Sequence, residues 1–216
     1  IGWGVDPDGG ARQFVLGLGS RTPIFRAGIP ASFVQRLGTA TSDFHFSGTY
    51  KAGDLTIGYL RIPSFSPPVA NAIRELDADK EVGCIVLTGQ EFKHPKRGTP
   101  YHVFSAGADV EQFAHLAKVE AGYDFIKVCF EPFKAIENAE TPVIAAVNGS
   151  AFGFGFEIQG CCDFSFAGTN ARFALKELNH GALPAWAVSR GVERYGNSLI
   201  SFLALSTMEL DAQEAK

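Results

Sequence analysis

Two glutamates stand where carboxylates are costly. Glu157 lies between Phe156 and Ile158 in an apolar stretch, and Glu177 sits in Phe173-Ala-Leu-Lys-Glu-Leu178. An unpaired carboxylate in such surroundings is expensive to bury. Two of them can have their pKa values pushed apart, leaving one as base and the other as acid. Adding water across a double bond needs that division of labour. The alternatives are a structural ion pair for Glu157 and, for Glu177, a solvent-facing position paired with Lys176 or Arg172. Two glycine-containing loops, Ser105-Ala-Gly-Ala-Asp109 and Gly153-Phe-Gly-Phe-Glu157, each follow an apolar run and lead toward a helix. Small residues let backbone approach a ligand, and the first N–H groups of a helix have no partner within it. Two such groups converging on one oxygen make an oxyanion hole, favoured by the positive end of the helix. The same glycines also suit tight strand-to-helix turns and nothing more.

The elements that must position these groups follow from periodicity. Leu55–Ile62 reads as a strand by its β-branched and aromatic content, with Pro63, Pro67 and Pro68 stopping it. Val69, Ile73 and Leu76 have helical spacing. Cys84-Ile-Val-Leu-Thr-Gly89 and Pro142-Val-Ile-Ala-Ala-Val147 are continuous apolar runs, the pattern of buried parallel strands. Residues 90–103 read as a polar loop, and a helix is expected from about Asp109 to Asn138, interrupted near Gly122 and Pro132. An apolar helix from about Phe154 and a strand at Asp163–Ala167 follow. The alternation of strands and helices argues an α/β fold with a largely parallel sheet. Composition shifts near residue 52. Residues 1–51 read as an irregular β-rich segment with a possible helical turn at Ala31–Leu37, and residues 52–216 as the core.

Composition excludes whole classes of function. The 216 residues are 46% hydrophobic and 19% charged with a net charge of −4, and 19 phenylalanines accompany a single methionine. A disordered tail, a fibre and a coiled coil do not fit. The acidic balance argues against a nucleic-acid groove, which needs a basic surplus. The uncharged stretch Thr141–Phe156 is shorter than the ~18 apolar residues of a membrane span. Cys84, Cys129, Cys161 and Cys162 lack metal-ligand spacing and read as buried free thiols, which favours a reducing, cytoplasmic setting. The only methionine is Met208, and Leu210–Lys216 reads as a helix, so the chain is expected to be a fragment.

Residues 80–216 resemble the crotonase (enoyl-CoA hydratase/isomerase) family. The matching segments are Val82–Gly89, Phe104-Ser-Ala-Gly-Ala-Asp109, Thr141–Gly149, Ala151-Phe-Gly-Phe-Gly-Phe-Glu157, Cys162-Asp163, Ala171-Arg-Phe-Ala174, Glu177 and Leu183-Pro184. The resemblance implies a crotonase/ClpP-like spiral of ββα units, here lacking the family's C-terminal helical region. It implies an acyl-CoA substrate, with the N–H groups of Ala108 and Phe154 holding the thioester carbonyl. Glu157 and Glu177 match the glutamates that handle water and the α-proton in the hydratases. Ala106, Gly107, Asp109, Val110 and Gly153 fall in substrate-binding segments. No metal or separate cofactor is implied, coenzyme A being part of the substrate, and family members assemble as trimers or hexamers. The alternatives are a C–C bond hydrolase of the β-diketone type and a non-catalytic acyl-CoA-binding protein.

Several positions depart from the family pattern. Phe154 stands where glycine is usual, so its ring is expected near the acyl site, together with Phe152 and Phe156, and would strain the turn if positive φ were required. Trp186 and Val188 replace glycines in the turn after Pro184 and are expected to reshape the pocket. His94 and His102 read as solvated loop residues, and His180 as a neighbour of Glu177 in sequence more than in the site. Residues 1–66 do not follow the family. Ile57–Ser66 is similar to a strand segment of tail-specific (S41-type) serine proteases, with Phe25–Pro30 and Phe33–Leu37 adding to the likeness. Ser105 has no obvious lysine partner for such chemistry.

Overall fold

A computed structural model describes residues 4–6, 30–38, 46–62, 67–93, 100–108 and 119–216. Twelve strands among them form two sheets. The larger contains β1 (Gly4–Asp6), β2 (Val34–Leu37), β3 (Phe46–Ala52), β4 (Leu55–Arg61), β5 (Val82–Thr88), β8 (Val143–Val147) and β10 (Phe164–Gly168). Its order is β1-β10-β8-β5-β4-β3-β2. From β4 through β5, β8 and β10 to β1 the strands are parallel, and β2 and β3 extend that edge as antiparallel strands. The smaller sheet holds β6 (Gln90–Lys93), β7 (Pro100–Ser105), β9 (Ser150–Phe152), β11 (Arg172–Ala174) and β12 (Leu210–Asp211), ordered β12-β11-β9-β7-β6.

The central strands are buried because their sequences are apolar on both faces. Ile85, Val86, Leu87, Val143 and Ala145 are all fully inaccessible. Helix α1 (Pro67–Ala78) lays Val69, Ile73 and Leu76 onto the core, each at 0% exposure, the stripe that their spacing predicts. Pro67 and Pro68 open this helix, where a missing N–H costs nothing. Helix α2 (Val119–Glu137) packs beside α1. It continues through both Gly122 and Pro132, correcting the expected interruptions. Cys129, Phe133 and Ile136 form a continuous buried stripe along it, and that burial outweighs the lost backbone bond. Residues 109–118 lie outside the described residues.

Three other expectations are corrected. Val34–Leu37 is a strand, recruited by pairing with β3. Residues 90–103 do not form a plain loop, because β6 and β7 pair antiparallel, Gln90 opposite Val103. Leu210–Lys216 is not a helix throughout: Leu210 and Asp211 pair with β11. Asp211 then caps a turn, its carboxylate accepting from the N–H groups of Gln213 and Glu214 while its own N–H donates to Glu214 Oε2 at 2.8 Å.

The spiral is visible in the chain order. A strand of the large sheet is followed by one of the small sheet and then a helix or turn. Thus β5 leads to β7 and α2, β8 to β9 and α3 (Phe154–Cys161), and β10 to β11 and a 3₁₀ turn (Glu177–His180). Because β7, β9 and β11 are parallel neighbours, the segments leaving their carboxyl ends are brought side by side.

Candidate active site

Those three exits carry the predicted residues. After β7 come Ala106, Gly107 and Ala108; after β9, Gly153 and Phe154; after β11, Lys176 and Glu177. The Gly153 N–H donates to the Ala174 carbonyl at 2.9 Å, tying two of the exits together. Gly107 ties the third. It is buried with φ 91°, and a β-carbon there would lie 2.8 Å from the Phe152 carbonyl oxygen and 3.1 Å from the Phe154 nitrogen. Only glycine permits that approach. The segment that carries Ala108 is therefore packed against the start of α3 at Phe154. Phe154 is the first residue of α3, after Gly153 at φ 55°. The positive φ falls on Gly153, so Phe154 strains nothing and its substitution for glycine keeps the N–H.

A cavity of about 560 Å³ opens over these exits. Ala106, Ala108, Gly153, Phe154 and Glu177 line it, and Phe125, Ile126 and Leu183 give it an apolar wall. Gly107 is buried beneath. Asp109 and Val110 lie outside the described residues, as does His94. Glu177 is not a surface partner of Lys176 or Arg172: both of its carboxyl oxygens are buried, and Lys176 pairs instead with Glu209 at 3.0 Å. Burial pushes the Glu177 carboxyl up to about 7, against the restraining effect of its own and the Lys176 amides.

Glu157 is fully buried behind the wall. Its Oε1 accepts from the Ala187 N–H at 2.8 Å, and Oε2 has no hydrogen-bond partner among the described residues. Burial first, and then the nearby charge of Glu177, push this carboxyl up to about 8, although the Ala187 and Trp186 amides oppose the shift. Two carboxyls close enough to feel each other, both titrating near neutrality, can divide into a donor and an acceptor of protons.

The aromatic expectations are corrected in part. Of Phe152, Phe154 and Phe156, only Phe154 is on the cavity wall. Its ring meets Phe133 edge to face, with centroids 5.6 Å apart. Phe156 points elsewhere, against Phe173 and Tyr195, and Phe152 lies under the Lys176 ammonium. Trp186 is buried away from the cavity, its Nε1–H donating to Glu137 at 3.0 Å, and Val188 is exposed. Neither reshapes the wall. His180, by contrast, is on it. The 3₁₀ turn puts it there, since residues i and i+3 of such a turn eclipse each other and Glu177 is the i residue. His102 is on β7 and not on the wall. Among the described residues no cluster of three or more His, Cys, Asp or Glu is arranged to hold a metal ion, and no helix is long and apolar enough to cross a membrane.

Residues 64–216 match the sequence model of the enoyl-CoA hydratase/isomerase family. A probable enoyl-CoA hydratase of Mycobacterium leprae is 36% identical over 149 residues, which make up 68% of this chain and 53% of that protein. A crotonyl-CoA hydratase of Syntrophomonas wolfei is 32% identical over 148 residues, again 68% and 53%. The chain thus spans about half the length of the curated relatives it matches. Among solved structures, an enoyl-CoA hydratase/carnithine racemase from Magnetospirillum magneticum superposes with a TM-score of 0.68 at 22% identity, covering 84% of this chain and 66% of that one. An enoyl-CoA hydratase from Bacillus anthracis gives 0.66 at 23% identity, covering 79% and 66%. At those identities the likeness is one of fold.

Proposed function

The chain belongs to the enoyl-CoA hydratase/isomerase family, and on that premise we propose that it adds water to the α,β double bond of an enoyl-CoA thioester. The observation that carries this reading is the pair Glu157 and Glu177, their carboxyl groups buried and both raised toward neutrality, with Glu177 on the same cavity wall as Ala108 and Phe154. The thioester carbonyl accepts hydrogen bonds from the N–H groups of Ala108 and Phe154. Negative charge developing on that oxygen as an enolate is then stabilised by donors already in place, the α3 dipole adding to them. Water attacks the β-carbon. One carboxylate takes its proton, and the other carboxyl delivers a proton to the α-carbon, so that H and OH add across the bond. Ala106, Gly107, Gly153, Asp109 and Val110 are assigned to holding the thioester and its coenzyme A.

Coenzyme A enters with the substrate, and no separate cofactor is assigned. The four cysteines are free thiols, three of them buried, which supports a reducing, cytoplasmic setting. Assembly into a homo-oligomer follows the family pattern. No proteolytic role is proposed for Ser105, which is fully buried with its hydroxyl accepting from the Gly107 N–H at 3.3 Å.

Incubation with crotonyl-CoA and with a cyclic β-diketone, followed by product analysis, tests the reading. A 3-hydroxyacyl thioester is expected. Ring opening of the diketone alone would replace it with C–C hydrolysis, and tight acyl-CoA binding in calorimetry with no product would leave a binding protein.

A further inference from the structure

One side chain connects the turn that holds Glu157 to both neighbouring helices. Ala187 opens a π-helical turn (Ala187–Gly191) in which residues 188–190 are exposed, while Trp186, Ala187 and Gly191 are buried. The Trp186 indole lies against Gly160, where a β-carbon would come within 2.7 Å of its Cζ3, and against Gly191, where the distance would be 3.2 Å. Gly160 follows Glu157 by three residues on α3, so the two share a helix face. On the other side the indole Nε1–H donates to Oε1 of Glu137, the last residue of α2, at 3.0 Å. The ring also meets Phe133 of that helix, with centroids 6.5 Å apart. A buried indole usually finds such a partner for its N–H. Arg190 approaches the same Glu137 oxygen at 3.5 Å, but its side chain is largely exposed and the ion pair contributes little.

We propose that Trp186 is a positioning residue for Glu157: its indole, packed on α3 and hydrogen-bonded to Glu137, sets where the Ala187 N–H meets the Glu157 carboxyl. The inference rests on the hydratase reading for the reaction and on these contacts for the positioning. The contacts close a loop. Glu157 and Gly160 belong to one helix, the indole rests on Gly160, and the amide of the next residue donates to Glu157 Oε1 at 2.8 Å. Moving the indole therefore moves the donor relative to its acceptor. Glu157 is behind the cavity wall and not on it, so loosening the loop leaves the substrate-binding surface in place and acts on proton transfer. Glu177 and the thiols of Cys129 and Cys161 are the titratable groups coupled to its charge, and none of them is altered in the test.

The test follows Glu157 itself, through its carboxyl stretch in infrared titrations assigned by subtracting Glu157→Gln. Four proteins are compared: the wild type, Trp186→Phe, Glu137→Leu and Glu137→Gln. Trp186→Phe removes the indole donor and keeps a ring. Glu137→Leu removes the acceptor, whereas Glu137→Gln keeps one; both lack the charge and the Arg190 pair, so their difference isolates the indole bond. The Glu157 midpoint should rise in Trp186→Phe against the wild type and in Glu137→Leu against Glu137→Gln, because the amide that favours the ionised form is drawn away. In crotonyl-CoA hydration the same two comparisons should show kcat lower by about tenfold or more with KM little changed, the scale of a misplaced catalytic group. An unmoved midpoint in either comparison, or a loss that falls on KM alone, overturns the proposal. Absence of turnover in the wild type while both midpoints move would fall on the hydratase reading and leave Trp186 as the residue that positions Glu157.

Discussion

The N–H of Ala187 donates to Glu157 Oε1 over 2.8 Å, so one oxygen of this buried carboxyl is clamped while Oε2 has no partner among the described residues. The clamp favours the ionised form, but burial favours the neutral one and wins. Glu157 is thereby held in place while burial keeps it protonated up to about 8.

That imbalance has a consequence for stability. In the folded chain Glu157 titrates at about 8, against an ordinary 4.5. Above the ordinary value the folded state holds a proton that the unfolded state has released, so stability falls as pH rises across that window. Glu177 acts with the same sign up to about 7. Thermal melts from mildly acidic to mildly alkaline pH should show the decline, and Glu157→Gln, which still accepts from Ala187, should flatten it without abolishing it. Parallel melting curves for the two proteins would contradict the burial of a neutral Glu157.

The same pair governs the rate. Hydration needs one carboxyl ionised and its neighbour protonated, so kcat/KM should follow a bell. Activity is expected to rise as the pair loses its first proton near 7 and to fall as it loses the second near 8. The two limbs belong to the coupled pair and not to either residue. A rate that climbs monotonically through this range would be incompatible with a shared proton.

Gly107 is the backbone counterpart. Adding a β-carbon at φ 91° would drive it to 2.8 Å from the Phe152 carbonyl oxygen. Gly107→Ala should cost on the order of 1–3 kcal/mol in stability through backbone strain. It should also displace the Ala108 amide from that of Phe154, with turnover falling by ~10² or more, the scale of losing one oxyanion donor. Melting temperature and kcat of the variant check both parts, and an undiminished kcat would remove Ala108 from the hole.

The core was legible in the chain because its signals are local. Val69, Ile73 and Leu76 gave α1 its stripe, and the unbroken apolar runs at 84–88 and 143–147 marked the central strands. Glu157, Glu177 and the two glycine loops were legible as costly or permissive residues. What escaped depends on partners distant in sequence. Val34–Leu37 becomes a strand only because β3 offers an edge, and Leu210–Asp211 only because β11 does. Pro132 reads as a break until the burial of Cys129, Phe133 and Ile136 is known. The direction of the phenyl rings was beyond the sequence too, since Phe154 and Phe156 lie two residues apart on one helix and so face different neighbours. His180 went unassigned because a 3₁₀ turn, unlike an α-helix, superposes i and i+3.

The central claim is that Glu157 and Glu177 carry the proton transfers of hydration. The most direct test is the rate of crotonyl-CoA hydration by the wild type, Glu157→Gln and Glu177→Gln. Each variant is expected to lose ~10² or more in turnover, the contribution of a positioned acid or base. Unchanged turnover in both variants would contradict that assignment.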